Sequence, residues 1–249
     1  MSAAAENPAA RASVTHRDRL RWTSSPPLVL RRTGTERVHL VQVGGGPLGG
    51  DRLALDVDLG PGRCLELRTA AATVVQPGRG GGHATFDVEV ALAPGSHLTW
   101  RPEPTVVCDG ADWRPRLVAD VADGAGLQVR EQLVLGRSGQ DGGRAASGLR
   151  VHAHGRALLA STTVVDGADP ALSGPGGTAG ARSVGTLLLA GTALPPTVPD
   201  TSGEDAGVTW AWTALDGPGV LLTALGSVRG VARVLAASTP PPSDLRARR

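Results

Sequence analysis

The sequence predicts a mainly β protein, in which layered or β-helix-like strands form one domain with a short helical element near the C-terminus. Three observations favour this fold: apolar and polar residues alternate as in half-buried strands, similar Pro/Gly turns recur, and aromatic residues are scarce. The turns end at Gly62, Gly95 and Gly126, so they repeat after 33 and then 31 residues. Such a period is typical of stacked coils that bury aliphatic faces between layers.

Composition limits the possible functions. The 249 residues include one Phe, five Trp and no Tyr, so Val, Leu and Ala must fill the core. The net charge of +2 and the shortage of stacking aromatics argue against nucleic-acid binding. Cys64 and Cys108 form no metal-binding or disulfide motif, which fits a reducing cytoplasm. No segment approaches the roughly 20 apolar residues that a membrane span needs, so no membrane association is expected.

Three regions are predicted along the chain. Residues 1–20 are expected to form a flexible N-terminal segment, and residues 21–238 a single β-rich scaffold domain. Residues 239–249 contain a proline run followed by arginines, a composition typical of a disordered tail.

Within the domain, the alternation from Asp51 to Leu59 predicts a strand. Strand 86–92 followed by strand 97–100 across a short turn is interpreted as a hairpin, and strands 115–121 and 127–135 as a second one. The Gly-rich segments 78–83 and 136–148 are expected to be loops.

The C-terminal part has a different pattern. Residues 207–225 are predicted to form two strands around a turn. In Gly226–Ser238, apolar residues recur at helical spacing, which predicts a short amphipathic helix; they are Val228, Val231, Val234 and Leu235.

The glycine run between residues 44 and 50 resembles a nucleotide-binding fingerprint, but a strand and not a helix is predicted to follow it. A dinucleotide site is therefore not expected. The run is interpreted as a structural loop whose backbone passes close to another segment, with Asp51 at its exit. Its glycines are Gly44, Gly45, Gly46, Gly49 and Gly50.

Glu131 is the most informative charged residue. It shares the strand parity of Leu127, Val129, Leu133 and Leu135, so its carboxylate should point towards the interior. A buried carboxylate needs a cation, hydrogen-bond donors or a water-filled passage. Two interpretations therefore stay open: an internal ion pair with an arginine such as Arg137, or one wall of a polar interior tract.

Other candidate sites are weaker. His152 and His154 are placed two residues apart, on one side of a strand, and could hold a metal such as nickel, although an exposed pair fits the pattern better. No hydrolase motif is present, and carboxylates without catalytic partners suit ion handling better than bond breaking. The alternative is a β-rich carbohydrate-active enzyme that uses paired carboxylates such as Asp56 and Asp58.

Four motifs resemble the urease accessory D proteins, called H proteins in some organisms (the UreD/UreH family). They occur in the family's order and approximate spacing, and cover about residues 25–165 well; they are GGPLGGDRLALDV from Gly45, TAAATVV from Thr69, WRPEPTVVCDGA from Trp100 and EQLVLGR from Glu131.

The resemblance implies a non-enzymatic, cytoplasmic scaffold for urease maturation. Such a protein would bind apo-urease and a helical accessory protein of the F type, which recruits the nickel-delivering GTPase of the G type. The family is thought to convey nickel through an internal water-filled channel, so nickel would be bound only transiently. Asp51, Thr73 and Glu131 fall where channel-lining groups would be expected, and Glu131 is also the residue that strand parity turns inward.

Overall fold

The computed structural model describes residues 9–192 and 202–240, which form two β-sheets and two helices. Sheet A has seven strands: β1 (Ala10–His16), β2 (Leu20–Thr23), β5 (Arg52–Leu59), β8 (Ala84–Leu92), β11 (Asp112–Val121), β13 (Arg144–Ala153) and β14 (Arg156–Asp166). Sheet B has eleven: β3 (Leu28–Gly34), β4 (Arg37–Gln42), β6 (Cys64–Thr69), β7 (Thr73–Val75), β9 (His97–Arg101), β10 (Thr105–Val107), β12 (Gly126–Leu135), β15 (Ser183–Gly191), β16 (Ser202–Asp205), β17 (Val208–Ala214) and β18 (Gly219–Gly226).

The centre of the fold is a stack of coils, which confirms the mainly β, β-helix-like prediction. Each coil places one strand in sheet A and the next in sheet B, as in β5–β6, β8–β9 and β11–β12. Equivalent strands stack in parallel, with Leu59 beside Leu92 in sheet A and Cys64 beside His97 in sheet B. The sequence repeat therefore corresponds to one coil.

The two predicted hairpins are wrong. β8 and β9 do not pair with each other: β8 pairs with β5 and β11, whereas β9 pairs with β6 and β12. Gly62 and Gly95 have positive φ and stack through hydrogen bonds to the next coil, such as Gly62 N–H to Pro94 O at 3.0 Å. These turns carry the chain from one sheet to the other, because inward side chains of both strands must meet in a shared core.

The N-terminal boundary also needs correction. Ala10–His16, which falls in the predicted flexible segment, is a strand that pairs with β5 in parallel and with β2 in antiparallel fashion. Ala12 and Val14 are fully buried in the core, so burial of these small side chains holds the segment in place. Residues 1–8 of that segment, and residues 241–249 of the predicted tail, lie outside the described residues.

The C-terminal predictions are confirmed. β17 and β18 form an antiparallel hairpin, and helix α2 (Val228–Ser238) begins after Ser227, whose hydroxyl accepts a hydrogen bond from Gly230 N–H. α2 buries Val231 and Leu235 against the outer face of sheet B. A four-residue helix, α1 (Pro170–Ser173), precedes β15. None of the helices in the described ranges is long and apolar enough to cross a membrane.

The main core lies between the inner faces of the two sheets and is largely aliphatic, as composition predicts. Leu55 and Leu59 from sheet A face Leu67, Leu98 and Leu127 from sheet B, all nearly inaccessible to solvent. At one end of this core the apolar packing gives way to a polar cavity.

Candidate functional site

The cavity lies between the inner faces of sheets A and B and has a volume of about 180 Å³. Its polar lining consists mainly of hydroxyl and carboxyl groups; it includes Gln42, Thr69, Thr73, Glu103, Thr105, Glu131, Ser147, Ser161, Thr163, Thr186 and Thr223. Its apolar wall includes Phe86, Trp100 and Trp113, three of the six aromatic residues in the chain. The cavity can therefore hold water and a small cation against oxygen ligands.

Glu131 is an ionisable group that lines this cavity. It lies on β12 between the buried Val129 and Leu133, and strand alternation turns its side chain inward, as predicted. Ser147 Oγ lies 2.9 and 2.7 Å from the two carboxylate oxygens and can donate to one of them at a time. Burial raises the pKa of Glu131, and the Ser147 hydrogen bond opposes this shift only in part.

Among the described residues, no guanidinium pairs with Glu131. The proposed partner Arg137 lies in an exposed loop after β12, where its backbone binds Gln140 and Arg182. The interpretation that Glu131 forms an ion pair with Arg137 is therefore wrong.

Threonines continue the polar surface across sheet B. Thr186 on β15 lies directly beside Glu131 in the strand register, and Thr223 on β18 lies beside Thr186. On sheet A, Ser147 pairs in register with Thr163. Thr73 on β7 lines the same cavity, so the structure brings two of the three predicted channel residues, Thr73 and Glu131, to one space.

Asp51 takes a different position. It is not among the residues that line the cavity, and its carboxylate accepts a hydrogen bond from Leu48 N–H at 2.9 Å. This contact closes the turn between the glycine run and β5. A structural role is thus visible for Asp51, whereas a part in ion passage stays a prediction.

The glycine run packs closely against neighbouring backbone, as the sequence suggests. Gly46 has φ of +100°, and a Cβ there would lie 1.9 Å from Val74 O. A Cβ at Gly49 would lie 2.8 Å from Gly78 N. Gly45 O accepts a hydrogen bond from the Gln76 side chain at 2.7 Å. A strand, not a helix, follows the run, which removes the geometry of a dinucleotide site.

The two histidines do not share one side of a strand. β13 ends at Ala153, and His154 lies in the following turn with φ of 52°. His152 Nδ1 is 3.4 Å from Asp120, and His154 hydrogen-bonds Asp123. Within residues 9–192 and 202–240, no group of three or more His, Cys, Asp or Glu side chains could hold a metal ion.

Comparison with known proteins identifies the family of this chain. The sequence matches the model of the family described as UreD urease accessory protein over residues 9–240, which is most of the chain. The chain belongs to the UreD urease accessory protein family. This membership confirms the resemblance carried by the four sequence motifs.

Similar UreD proteins come from Frankia, Saccharopolyspora and Streptomyces species. The chain is 38% identical to the urease accessory protein UreD of Frankia alni, with 81% of this chain and 80% of that protein covered. It is 38% identical to UreD 2 of Saccharopolyspora erythraea (79% and 71% covered) and 37% identical to UreD of Streptomyces coelicolor (80% and 80% covered). This UreD family member accordingly has a role in urease maturation, a process that involves nickel.

The carboxylates of the alternative hypothesis face away from the cavity of this UreD chain. Asp56 is bound by Arg11 with N–O distances of 2.6 and 2.7 Å, and Asp58 by Arg17 at 2.8 and 3.1 Å. Both side chains are about one-third exposed on sheet A. Each carboxylate is thus engaged by its own arginine, which argues against a catalytic pair.

Sequence reasoning missed the cavity groups other than Thr73 and Glu131. Ser147 lies in the Gly-rich segment 136–148, for which the sequence predicts a loop, whereas the structure places it on β13. Thr186 and Thr223 lie in otherwise apolar strands. Their polar positions in such strands are a signal that could have identified them.

Proposed function

We propose that this protein is a non-enzymatic scaffold that binds apo-urease and other accessory proteins, and helps convey nickel to the urease active site through its internal polar cavity. The observation that carries this proposal is the Glu131 carboxyl group, which has no arginine partner among residues 9–192 and 202–240, in a cavity whose polar lining is mainly hydroxyl groups. Nickel is the cargo of this route and is bound only transiently.

The chemistry of the lining fits a relay better than a storage site. A relay must release its ion, and a few carboxyl and neutral hydroxyl oxygens bind divalent nickel less tightly than a closed His/Cys site. Burial raises the pKa of Glu131 and so disfavours its charged form, whereas an arriving cation would stabilise that form. Departure of the ion would remove this stabilisation, which favours release over storage.

The size of the cavity favours the same conclusion. Pockets for small organic ligands have volumes of about 300–1,000 Å³. The volume here, about 180 Å³, suits a few water molecules and an ion rather than a carbohydrate. This argues against the alternative of a carbohydrate-active enzyme.

The expected partners are the apo-urease subunits and the helical F-type accessory protein, which would bring the nickel-delivering G-type GTPase to the complex. These interactions would take place in the cytoplasm. Neither a nucleic acid nor a membrane is proposed as a partner.

Urease activation tests this function. The protein is co-expressed with urease subunits and the other urease accessory proteins, and urease activity is measured per amount of urease. Glu131→Gln keeps the size of the side chain but cannot ionise, so activation should fall about tenfold while affinity purification still recovers the complex. Asp51→Ala and Thr73→Val test the other two predicted channel residues.

Glu89→Gln is the matched control, because Glu89 is an exposed carboxylate on sheet A outside the cavity. It should activate urease like the wild type. Full activation by Glu131→Gln would overturn the relay but leave the scaffold role, whereas failure of the wild-type protein to copurify with any urease or accessory protein would overturn the scaffold role.

A further inference from the structure

The outer face of sheet B carries a row of arginines that the nickel relay does not use. Arg68 on β6 lies beside Arg101 on β9 in the strand register. Trp100 lies beside Val129, so Arg130 on β12 continues the row next to Arg101. We name Arg68, Arg101 and Arg130 the arginine row. Its side chains point away from the core because the alternate residues Leu67, Trp100 and Val129 point into it.

The arginine row is only partly neutralised. Glu66 is nearly buried and accepts hydrogen bonds from Arg37 Nε at 2.5 Å and Arg68 Nε at 2.7 Å, while Arg101 lies 3.5 Å from it. Among the described residues, none hydrogen-bonds or forms a salt bridge with the guanidinium of Arg130. Three guanidinium groups on this face thus share one buried carboxylate, and Arg130 lies in the field of the exposed Glu103.

Burial makes this surplus charge costly. Arg101 and Arg130 are half-buried, and burial together with the neighbouring arginines lowers the pKa of each. Gln128 lies two residues before Arg130 on the same face and is fully buried, and its side-chain Nε2 and Oε1 atoms have no hydrogen-bond partner. This region therefore combines unpaired positive charge with unsatisfied hydrogen-bonding capacity.

The rest of the same face is covered. From β15 onwards, Leu187 and Leu189 point outward and pack into a cluster with Val231 and Leu235 of α2. The side chain of Gln132 donates to Val228 O at the start of the helix, at 2.8 Å. The arginine row begins where this cover ends, since Arg130 is the next outward residue before Gln132 along β12.

We propose that the arginine row is a docking site for an acidic segment of a partner protein, whose carboxylates pair with Arg101 and Arg130. Neighbouring strands place the row at intervals of about 4.8 Å. Carboxylates three or four residues apart on a helix are separated by a similar distance of about 5–6 Å. A protein segment is favoured over a nucleic acid, because the row is short and the chain has few stacking aromatics. This site is independent of the proposed relay.

Fluorescence anisotropy with a labelled decaglutamate peptide tests the docking site on the full-length protein. At low salt, Arg101→Gln/Arg130→Gln should bind the peptide about tenfold more weakly than the wild type, and Arg130→Lys should retain most of the affinity. The matched control Arg21→Gln/Arg150→Gln removes two exposed arginines of sheet A and should change the affinity less than about twofold.

Unfolding curves show whether each variant is folded. If the double variant does not fold, Arg130→Gln alone is measured instead, because no described residue depends on its guanidinium for a hydrogen bond. Equal weakening in the row variant and its control would overturn the proposal. So would row-dependent binding of inorganic polyphosphate without binding of the peptide, since that result would assign the row to phosphate.

Discussion

Arg130 and Glu131 are adjacent on β12, yet they face opposite sides of sheet B and two different environments. Arg130 joins a cluster of guanidinium groups on the outer face, whereas Glu131 lies in the inner cavity with Ser147 as its hydrogen-bond donor. The pleat separates these two ionisable groups, so their side chains do not pair with each other.

The two faces also shift the pKa of their carboxyl groups in opposite directions. On the inner face, burial outweighs the hydrogen bond from Ser147 and raises the pKa of Glu131. On the outer face, burial also favours the neutral form of Glu66, but hydrogen bonds from Arg37 and Arg68 outweigh it and lower the pKa. The difference shows that partners, more than burial, decide whether an acidic residue of this sheet stays charged.

Reversing the charge on each face should have the largest and most unequal effects on the free energy of unfolding. Glu131→Arg would place a guanidinium among mainly hydroxyl-bearing and apolar side chains, and should lower the free energy of unfolding by about 3–5 kcal/mol. Arg130→Glu places a negative charge among arginines and should cost no more than about 1 kcal/mol. Denaturant unfolding measures both. Equal losses would show that the two faces do not differ as described.

Removal of the Glu66 carboxylate on the outer face should have the next largest effect on the free energy of unfolding. Glu66→Gln should lower the free energy of unfolding by about 2–3 kcal/mol near neutral pH, because it leaves the arginines without their buried partner. Since the pKa of Glu66 is lowered on folding, its contribution is present above about pH 4.5 and is lost as the pH falls through the folded-state pKa. Unfolding curves for wild type and variant should therefore converge in acid. A constant difference would contradict the ion-pair account.

The inner carboxylate should show the opposite pH dependence. Because the pKa of Glu131 is raised on folding, the wild type loses stability as the pH rises from about 4.5 to the folded-state pKa. Glu131→Gln removes this loss, so its stability relative to the wild type should rise as the pH rises. A pH series of unfolding curves tests the sign. A variant that is relatively less stable at higher pH would show that Glu131 is stabilised in its charged form.

Replacing a neutral hydroxyl group of the cavity lining should have the smallest effect on stability and on urease activation. Thr186→Val keeps the shape of the side chain but removes a cavity hydroxyl beside Glu131. The free energy of unfolding should change by less than about 1 kcal/mol, while urease activation falls about two- to threefold. Thr209→Val on β17, where the residue is exposed and outside the cavity, serves as the control. Identical urease activation by both variants would show that Thr186 does not contribute to nickel passage through the cavity.

The sequence was most informative where the signal is local. Pleat parity identified the inward direction of Glu131, and the turn spacing revealed the coil repeat. The hairpin assignment failed because a Pro/Gly turn joins two strands equally well within one sheet or between two, and only long-range pairing decides. The strand Ala10–His16 was missed because its alternation uses small residues such as Ala12, whose burial depends on β5.

The most direct test of the central claim is the rate at which nickel enters urease within the complex. Purified complexes of apo-urease with wild-type, Glu131→Gln or Glu89→Gln protein and the other accessory proteins receive limiting nickel, and metal bound to the isolated urease is measured over time. The account predicts slow loading with Glu131→Gln and wild-type loading with Glu89→Gln. Wild-type loading rates in both variants would contradict it.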